Sequence, residues 1–328
     1  EEVYYTFRES FVKRGQEAYA NFAKVWKDYK DENYDEALKI ESTVDNDVST
    51  LVYKDIPSYS EEFADSTRNC SGACLNILNK QVFNLIGGSA DVAGSVMTHI
   101  KDETDFTATN RSGRNVNWGI REFAMAAMQN GMLLHGGLRT YVGCFLVFAD
   151  YLKPAVRMAA LSGLPAIYLL SHDSIAVGED GPTHQPIEQL AMLRSIPNVN
   201  VIRPCDARET AAAWKVALES TRTPTCLILS RQKLPMIYST SYAGVAKGGY
   251  VVSPEKEKLD FTIIATGSEV SLAVEAQKKL LADGIDTRVV SMPSMNAFAQ
   301  QDEAYIEKVL GAPYEKRIAV EMLSSFGW

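Results

Sequence analysis

Residues 199–229, VNVIRPCDARETAAAWKVALESTRTPTCLIL, set a short apolar run, a helical run and a second short apolar run in succession. The helical run at 207–219 opens with Asp206 and Glu209. That is a capping-box spacing, able to satisfy the free amide donors of a first helical turn. The run at 226–229 is continuous rather than alternating, and that at 199–202 is broken only by Asn200, as in strands buried on both faces. A strand, a helix and a second strand of this kind make one crossover unit of a parallel sheet.

Working outward, the same alternation extends toward the N-terminus. Strands are expected at 82–86, 140–145 and 166–170, with helices at 72–79, 121–135, 149–161 and 186–193. A second α/β unit starts near Gly248. Its strand at 261–265 passes through Gly267-Ser268 into a helix that ends at Asp283-Gly284, and strands follow at 287–290 and 318–320. The Gly-Ser turn reads as a tight turn with an N-cap, the alternative being an anion site at a helix start. The chain stops at Phe326-Gly327-Trp328 just after a strand, so this second domain is expected to be truncated. Residues 1–64 are different: polar, helical from about Arg8 to Tyr29, with Phe11, Tyr19, Phe22, Trp26 and Tyr29 on one stripe. A lone amphipathic arm of this kind is expected to be a connector. The domains expected are therefore 1–64, mainly helical connector; 65–240, a helix-covered parallel sheet; and 241–328, the start of a further α/β domain.

Composition narrows the function. The chain has 328 residues, 46% of them hydrophobic and 23% charged, which suits a soluble globular protein. Its net charge of −8 offers no basic field for nucleic acid. No apolar run approaches the ~20 residues of a membrane span, and Glu1-Glu2 does not resemble a signal-peptide start, so a cytoplasmic setting is expected. The five cysteines are odd in number, and Cys70 and Cys74 lack a second pair to complete a zinc site. They read as buried thiols in a reducing compartment.

Four clusters are candidates for chemistry. Gly178-Glu179-Asp180-Gly181-Pro182-Thr183-His184-Gln185-Pro186 follows a buried strand and the pair His172-Asp173, where open parallel sheets place their ligands. Its histidines either carry proton transfer and hydrogen bonding or only brace turns. Gly87-Gly88-Ser89-Ala90-Asp91-Val92-Ala93-Gly94-Ser95 lets backbone approach a ligand, yet it is neither a dinucleotide fingerprint nor a Walker loop. Glu122 opens a helix that is apolar nearly all round, either favouring the helix dipole or sharing a proton with a ligand nitrogen. Phe145, Phe148 and Tyr151 line one side as strand passes into helix, either as core or as a stacking platform.

Taken in this order, the clusters resemble transketolase. The resemblance rests on Gly-Gly-Ser-Ala-Asp at 87–91, Gly-Ile-Arg-Glu-Phe at 119–123, Phe-Leu-Val-Phe-Ala-Asp-Tyr at 145–151 and His-Asp-Ser-Ile at 172–175. Gly-Glu-Asp-Gly-Pro-Thr-His-Gln-Pro at 178–186, Arg-Pro-Cys-Asp at 203–206 and Leu-Ser-Arg-Gln at 229–232 complete it. It implies the pyrimidine-binding domain of a thiamine-diphosphate enzyme and two-carbon ketol transfer between phosphosugars. Glu122 would hydrogen-bond the aminopyrimidine ring nitrogen and favour the imino tautomer that takes the thiazolium proton. Phe145, Phe148 and Tyr151 would wall the pyrimidine, with Asp91 and Val92 in the same surroundings. His172, Asp180 and His184 would hold sugar hydroxyls, His184 also serving catalysis. Arg68, Ser95 and Arg231 would grip the substrate phosphate.

One departure is large. The family's Gly-Asp-Gly…Asn motif, which holds Mg²⁺ and diphosphate, is not in this sequence, and no metal ligands are expected here. A diphosphate-binding domain would have to come in cis or in trans, a homodimer is expected, and the chain alone is predicted inactive. Dihydroxyacetone synthase resembles the sequence almost as well. A split subunit or a non-catalytic interaction module are the other readings.

Overall fold

The central strands of the main sheet read as continuous apolar runs because they are covered on both faces, and the computed structural model, which describes residues 1–44 and 57–328, shows the covering. The chain divides into two units, Glu1–Ser49 and Thr50–Trp328.

The first unit is helical. Helix α1 (Glu2–Phe7) runs through a wider π turn at Arg8–Val12 into α2 (Lys13–Glu32), and Asn33 leaves helical geometry before α3 (Tyr34–Val44). Helical structure thus extends beyond the expected Arg8-to-Tyr29 run at both ends. Phe7 stacks on Phe11, and Trp26 stacks on both Phe22 and Tyr29. Lys30 Nζ and Trp26 Nε1 both donate to Glu41, at 2.7 and 3.2 Å, joining α2 to α3. The expected connector boundary at residue 64 follows a segment, 45–56, that lies outside the described residues.

The second unit opens with β1 (Ala64–Asp65), α4 (Thr67–Leu78), β2 (Leu85–Ser89) and α5 (Ala93–Val96). Next come β3 (Asn115–Asn117), α6 (Glu122–His135), β4 (Arg139–Phe145), α7 (Ala149–Ser162) and β5 (Ile167–Ser171). The domain closes with α8 (Gln189–Arg194), β6 (Asn200–Ile202), α9 (Ala207–Glu219), β7 (Thr225–Leu229), β8 (Leu234–Pro235) and α10 (Tyr242–Lys247). Six strands pair in the order β3-β2-β4-β5-β7-β6, all parallel, while β1 and β8 form a small antiparallel pair. Successive residues of β5 point to opposite faces, as the two-residue period requires. Tyr168 and Leu170 pack under α6, α7 and α8, with Met125, Leu152, Val156 and Leu190. Ile167 and Leu169 pack under α4 and α9, with Leu75, Leu78 and Trp214.

The second domain has β9 (Tyr250–Ser253), β10 (Phe261–Ala265), α11 (Glu269–Ala282), β11 (Thr287–Ser291), α12 (Met295–Phe298), α13 (Glu303–Leu310) and β12 (Arg317–Val320). Its strand order is β12-β10-β11-β9, parallel apart from β9, which pairs antiparallel to β11. The α/β class with a parallel sheet and a second α/β domain is what the sequence led us to expect.

Three local differences have physical causes. The strand expected at 82–86 is shifted to Leu85–Ser89, because Val82 closes a turn onto Leu78. Gly87 and Gly88 then continue the strand: an added Cβ would lie 2.1 Å from the Tyr141 carbonyl oxygen and 2.0 Å from that of Val116. Those two glycines serve the close approach of neighbouring strands rather than of a ligand. Strands β3 and β9 were not expected, being a short polar edge strand and an antiparallel edge. In α9 Asp206 accepts from Glu209 N at 2.8 Å, but the Glu209 carboxylate reaches back to Cys205 N at 2.8 Å and, with its other oxygen, takes bonds from Tyr250 and Ser291 of the second domain, both 2.7 Å. It is both part of a cap and a tie between domains.

Candidate active site

Because the sheet is parallel, every βα loop leaves from one rim. The turns after β2, β4, β5 and β7 bring Asp91 and Val92, Phe145 and Phe148, His172, and Arg231 to that rim. The loop after β3 adds Glu122 at the head of α6, and β1 leads into Arg68, whose amide donates to Ser230 O. A parallel sheet offers this rim as its ligand side.

Two neighbouring groups result. In the first, a cavity of about 520 Å³ is lined by Ala90, Asp91, Val92, Ile120, Glu122, Phe148 and Tyr151. The Glu122 carboxylate accepts no hydrogen bond from the described residues, and Arg121, one residue before it, supplies no side-chain cap. The buried thiol of Cys144 is pushed well up by burial and then by the nearby Glu122. Phe148 and Tyr151 stack on each other, ring centres 6.1 Å apart, and present an aromatic wall. Phe145 sits behind that wall, stacked on Phe148 at 6.1 Å and on the His172 ring at 3.7 Å. A half-buried carboxylate with no hydrogen-bond partner among the described residues, in an aromatic-walled cavity, suits a planar ring that carries donor nitrogens, and the residues fit an aminopyrimidine.

The second group is polar. His172 Nδ1 lies 2.9 Å from Ser171 Oγ, and its Nε2 is 3.8 Å from Asp180 Oδ2. Burial, and then the charge of Arg68, hold its imidazole down at about 4, so the ring is neutral and free to exchange hydrogen bonds near pH 7. His184 meets Phe145 and Phe148 edge-on, 6.0 and 5.5 Å away, and its Nδ1 is 2.9 Å from Thr183 Oγ1. Arg68 donates to the Ser95 carbonyl at 2.7 Å, so Ser95 positions the guanidinium through its backbone. Arg231 faces Glu179 at 3.5 Å. Burial and then Arg231 hold the Arg68 guanidinium below its ordinary value, and Arg68 Nε is a buried donor without a partner among the described residues. Two cations side by side with an unused donor form a ready seat for a dianion.

Asp91 and His172 both have left-handed backbone, φ +63° and +58°. Such strain gathers at sites where the surroundings over-determine the chain. Nothing in the sequence announces it, since neither residue is glycine. Ser171 and Thr183, each bonded to the histidine that follows, were also missed; a hydroxyl residue directly before a site histidine is the only signal available. The five cysteines are all buried and free, with Cys70 and Cys74 pushed up to about 12 by burial first.

Comparison with known proteins agrees on one family. The model of the transketolase pyrimidine-binding domain matches residues 64–236, and that of the transketolase-like C-terminal domain matches 248–328. The transketolase of Bacillus subtilis is 52% identical over all of this chain and 50% of its own length. Transketolase from Leishmania mexicana superimposes with a TM-score of 0.94 at 40% identity, over 100% of this chain and 48% of that one. A split-gene transketolase, solved as an inactive β4 tetramer, is more distant, with a TM-score of 0.65 at 27% identity over 80% of this chain and 81% of that one. The chain spans about half the length of the curated relatives it matches.

Proposed function

Since the chain belongs to the transketolase family, we propose that it supplies the pyrimidine-binding and substrate-phosphate portions of a thiamine-diphosphate-dependent ketol transferase acting on phosphosugars. The observation that carries this reading is the unpaired Glu122 carboxylate in its aromatic-walled cavity, beside the Arg68 and Arg231 pair.

The cofactor, when bound, supplies the electron sink for two-carbon transfer. Glu122 holds a proton on the pyrimidine ring nitrogen, and the wall of Phe148 and Tyr151 orients that ring and excludes water. Asp91 and Val92 close the other side. Neutral His172, with Asp180, binds sugar hydroxyls; His184 binds them and moves a proton at a hydroxyl oxygen. Arg68 and Arg231 bind the phosphate. Mg²⁺ and the diphosphate fall to a further domain, in cis or from a partner chain. Ile120, Phe123 and Tyr151 expose 77%, 55% and 60% of their surface around the cavity, which suits burial against a second subunit, as in a homodimer. The buried free thiols suit a cytoplasmic setting. The split-gene relative supports a second arrangement, in which this chain is one subunit of a two-chain enzyme.

The test is reconstitution. The chain is mixed with a diphosphate-binding domain of the family, thiamine diphosphate and Mg²⁺, and ketol transfer is assayed together with exchange of the thiazolium C2 proton. Transfer is expected with the parent chain. With Glu122→Gln, exchange should slow by orders of magnitude while the fold is kept, because an amide cannot share the proton. Unchanged exchange in that variant would show that Glu122 does not hold the pyrimidine proton.

A further inference from the structure

His172 is held in left-handed backbone at φ +58°, and the residue that follows it is buried and charged. Asp173 Oδ2 accepts from Arg203 Nε and pairs with its Nη2, both at 2.9 Å. Arg203 is fully buried just after β6, and its other hydrogen bonds among the described residues go to the second domain. Its Nη1 donates to Thr266 O at 3.0 Å, to Thr266 Oγ1 at 2.8 Å and to Glu269 Oε2; its Nη2 donates to Ser268 Oγ at 3.2 Å. Gly267, at φ +52°, makes room for this. A Cβ there would lie 2.7 Å from Arg203 Nε and 2.8 Å from its Cγ and Cζ. The Gly-Ser turn that could have been an anion site is therefore a socket for a guanidinium, and Ser268 makes no side-chain cap for α11.

We propose that Arg203, seated in the Thr266–Glu269 turn of the second domain, is a positioning residue that fixes His172 at the site by gripping Asp173. A guanidinium suits this task because its rigid planar fork of five donors holds Asp173 and the Thr266–Glu269 turn in one fixed geometry, which a flexible ammonium with three donors does not reproduce. The second domain thereby governs a residue of the first without touching substrate. The titratable and charged groups facing His172 are Asp180 and His184 of the following loop, Arg68 of α4 and Arg231 beyond β7; none of them lies in the second domain, and the Asp173–Arg203 pair is the link from that domain to the residue next to His172.

The experiment uses the whole chain labelled with ¹⁵N-histidine, which gives only four side chains to follow. In the parent, His172 should titrate far below an ordinary histidine. In Gly267→Ala and in Arg203→Lys its ring resonances should shift and its midpoint should rise toward the ordinary value as water reaches the ring. His99 and His135 should stay where they are. A purely structural role would lower the melting temperature and leave His172 unmoved. If Arg203→Lys loses the folded spectrum, Gly267→Ala, a change of one methyl group, decides. A folded Gly267→Ala chain with His172 unshifted overturns the proposal. A second arm rests on the functional reading above: in the reconstituted enzyme the same variants should raise KM for a ketose donor about tenfold, the cost of roughly one hydrogen bond, with C2-proton exchange unchanged. Failure of that arm alone would count against the role of His172 in sugar binding and leave the positioning link standing.

Discussion

Arg68 and Arg231 are the residues proposed to bind the substrate phosphate, and their environments differ. Arg68 is partly enclosed, fixed by the Ser95 carbonyl, and keeps one buried donor unused; Arg231 is only loosely paired with the exposed Glu179. A charge-assisted hydrogen bond contributes about 1.5–3 kcal/mol, or roughly ten- to hundredfold in affinity. In the reconstituted enzyme, Arg68→Ala and Arg231→Ala are each expected to raise KM for phosphorylated donors by about that factor. An unphosphorylated donor should lose much less. Equal losses on both donors would make the arginines structural. At this scale the sequence is informative where residue type and position suffice: Glu122 is visible as a lone carboxylate heading an apolar helix, and it lines one cavity with Asp91, Val92, Phe148 and Tyr151. The strained backbone of Asp91 and His172 is not visible, because it follows from how loops are pinned after folding rather than from local preference. Nor is the recession of Phe145 behind Phe148, which is decided by packing against His172.

Helix α9 shows how much an element can carry beyond its own stability. Asp206 caps it through Glu209 N, and the second carboxylate oxygen accepts from Ile237 N at 3.1 Å and Thr240 Oγ1 at 2.8 Å. A lost cap costs about 1 kcal/mol, and a buried donor left without an acceptor costs ~1–3 kcal/mol more. Asp206→Ala should therefore lower unfolding stability by roughly 2–4 kcal/mol in urea titrations. A loss below about 1 kcal/mol would mean that water replaces the carboxylate at 237 and 240. The capping box was legible because its spacing is local. The reach of Glu209 to Tyr250 and Ser291 was not, because it depends on where the second sheet packs. The same limit hid β3 and β9, whose short sequences carry too little periodicity to stand out, whereas the crossover from β6 through α9 to β7 was legible from its apolar runs alone.

For the molecule as a whole, the proposal is that this chain carries one half of a cofactor site. The cavity beside Glu122 can seat a pyrimidine ring, and the residues proposed to bind phosphate lie in the sugar group, past His172 and Asp180. Binding energy for the cofactor's diphosphate would come from a further domain, and without it neither affinity nor orientation of the reacting ring is secured. The chain alone should thus bind thiamine and thiamine diphosphate with similar, weak affinity, and turn over no sugar phosphate. Calorimetry on the isolated chain, with and without Mg²⁺, compares the two ligands directly. Glu122→Gln should weaken both alike, since the ring contact is common to them. A hundredfold preference for the diphosphate, about 2.7 kcal/mol, would mean that this chain anchors the diphosphate itself. Repeating the titration with Arg68→Ala and Arg231→Ala would then locate the anchor: loss of the preference would place the cofactor's diphosphate, rather than the sugar's phosphate, on the arginine pair.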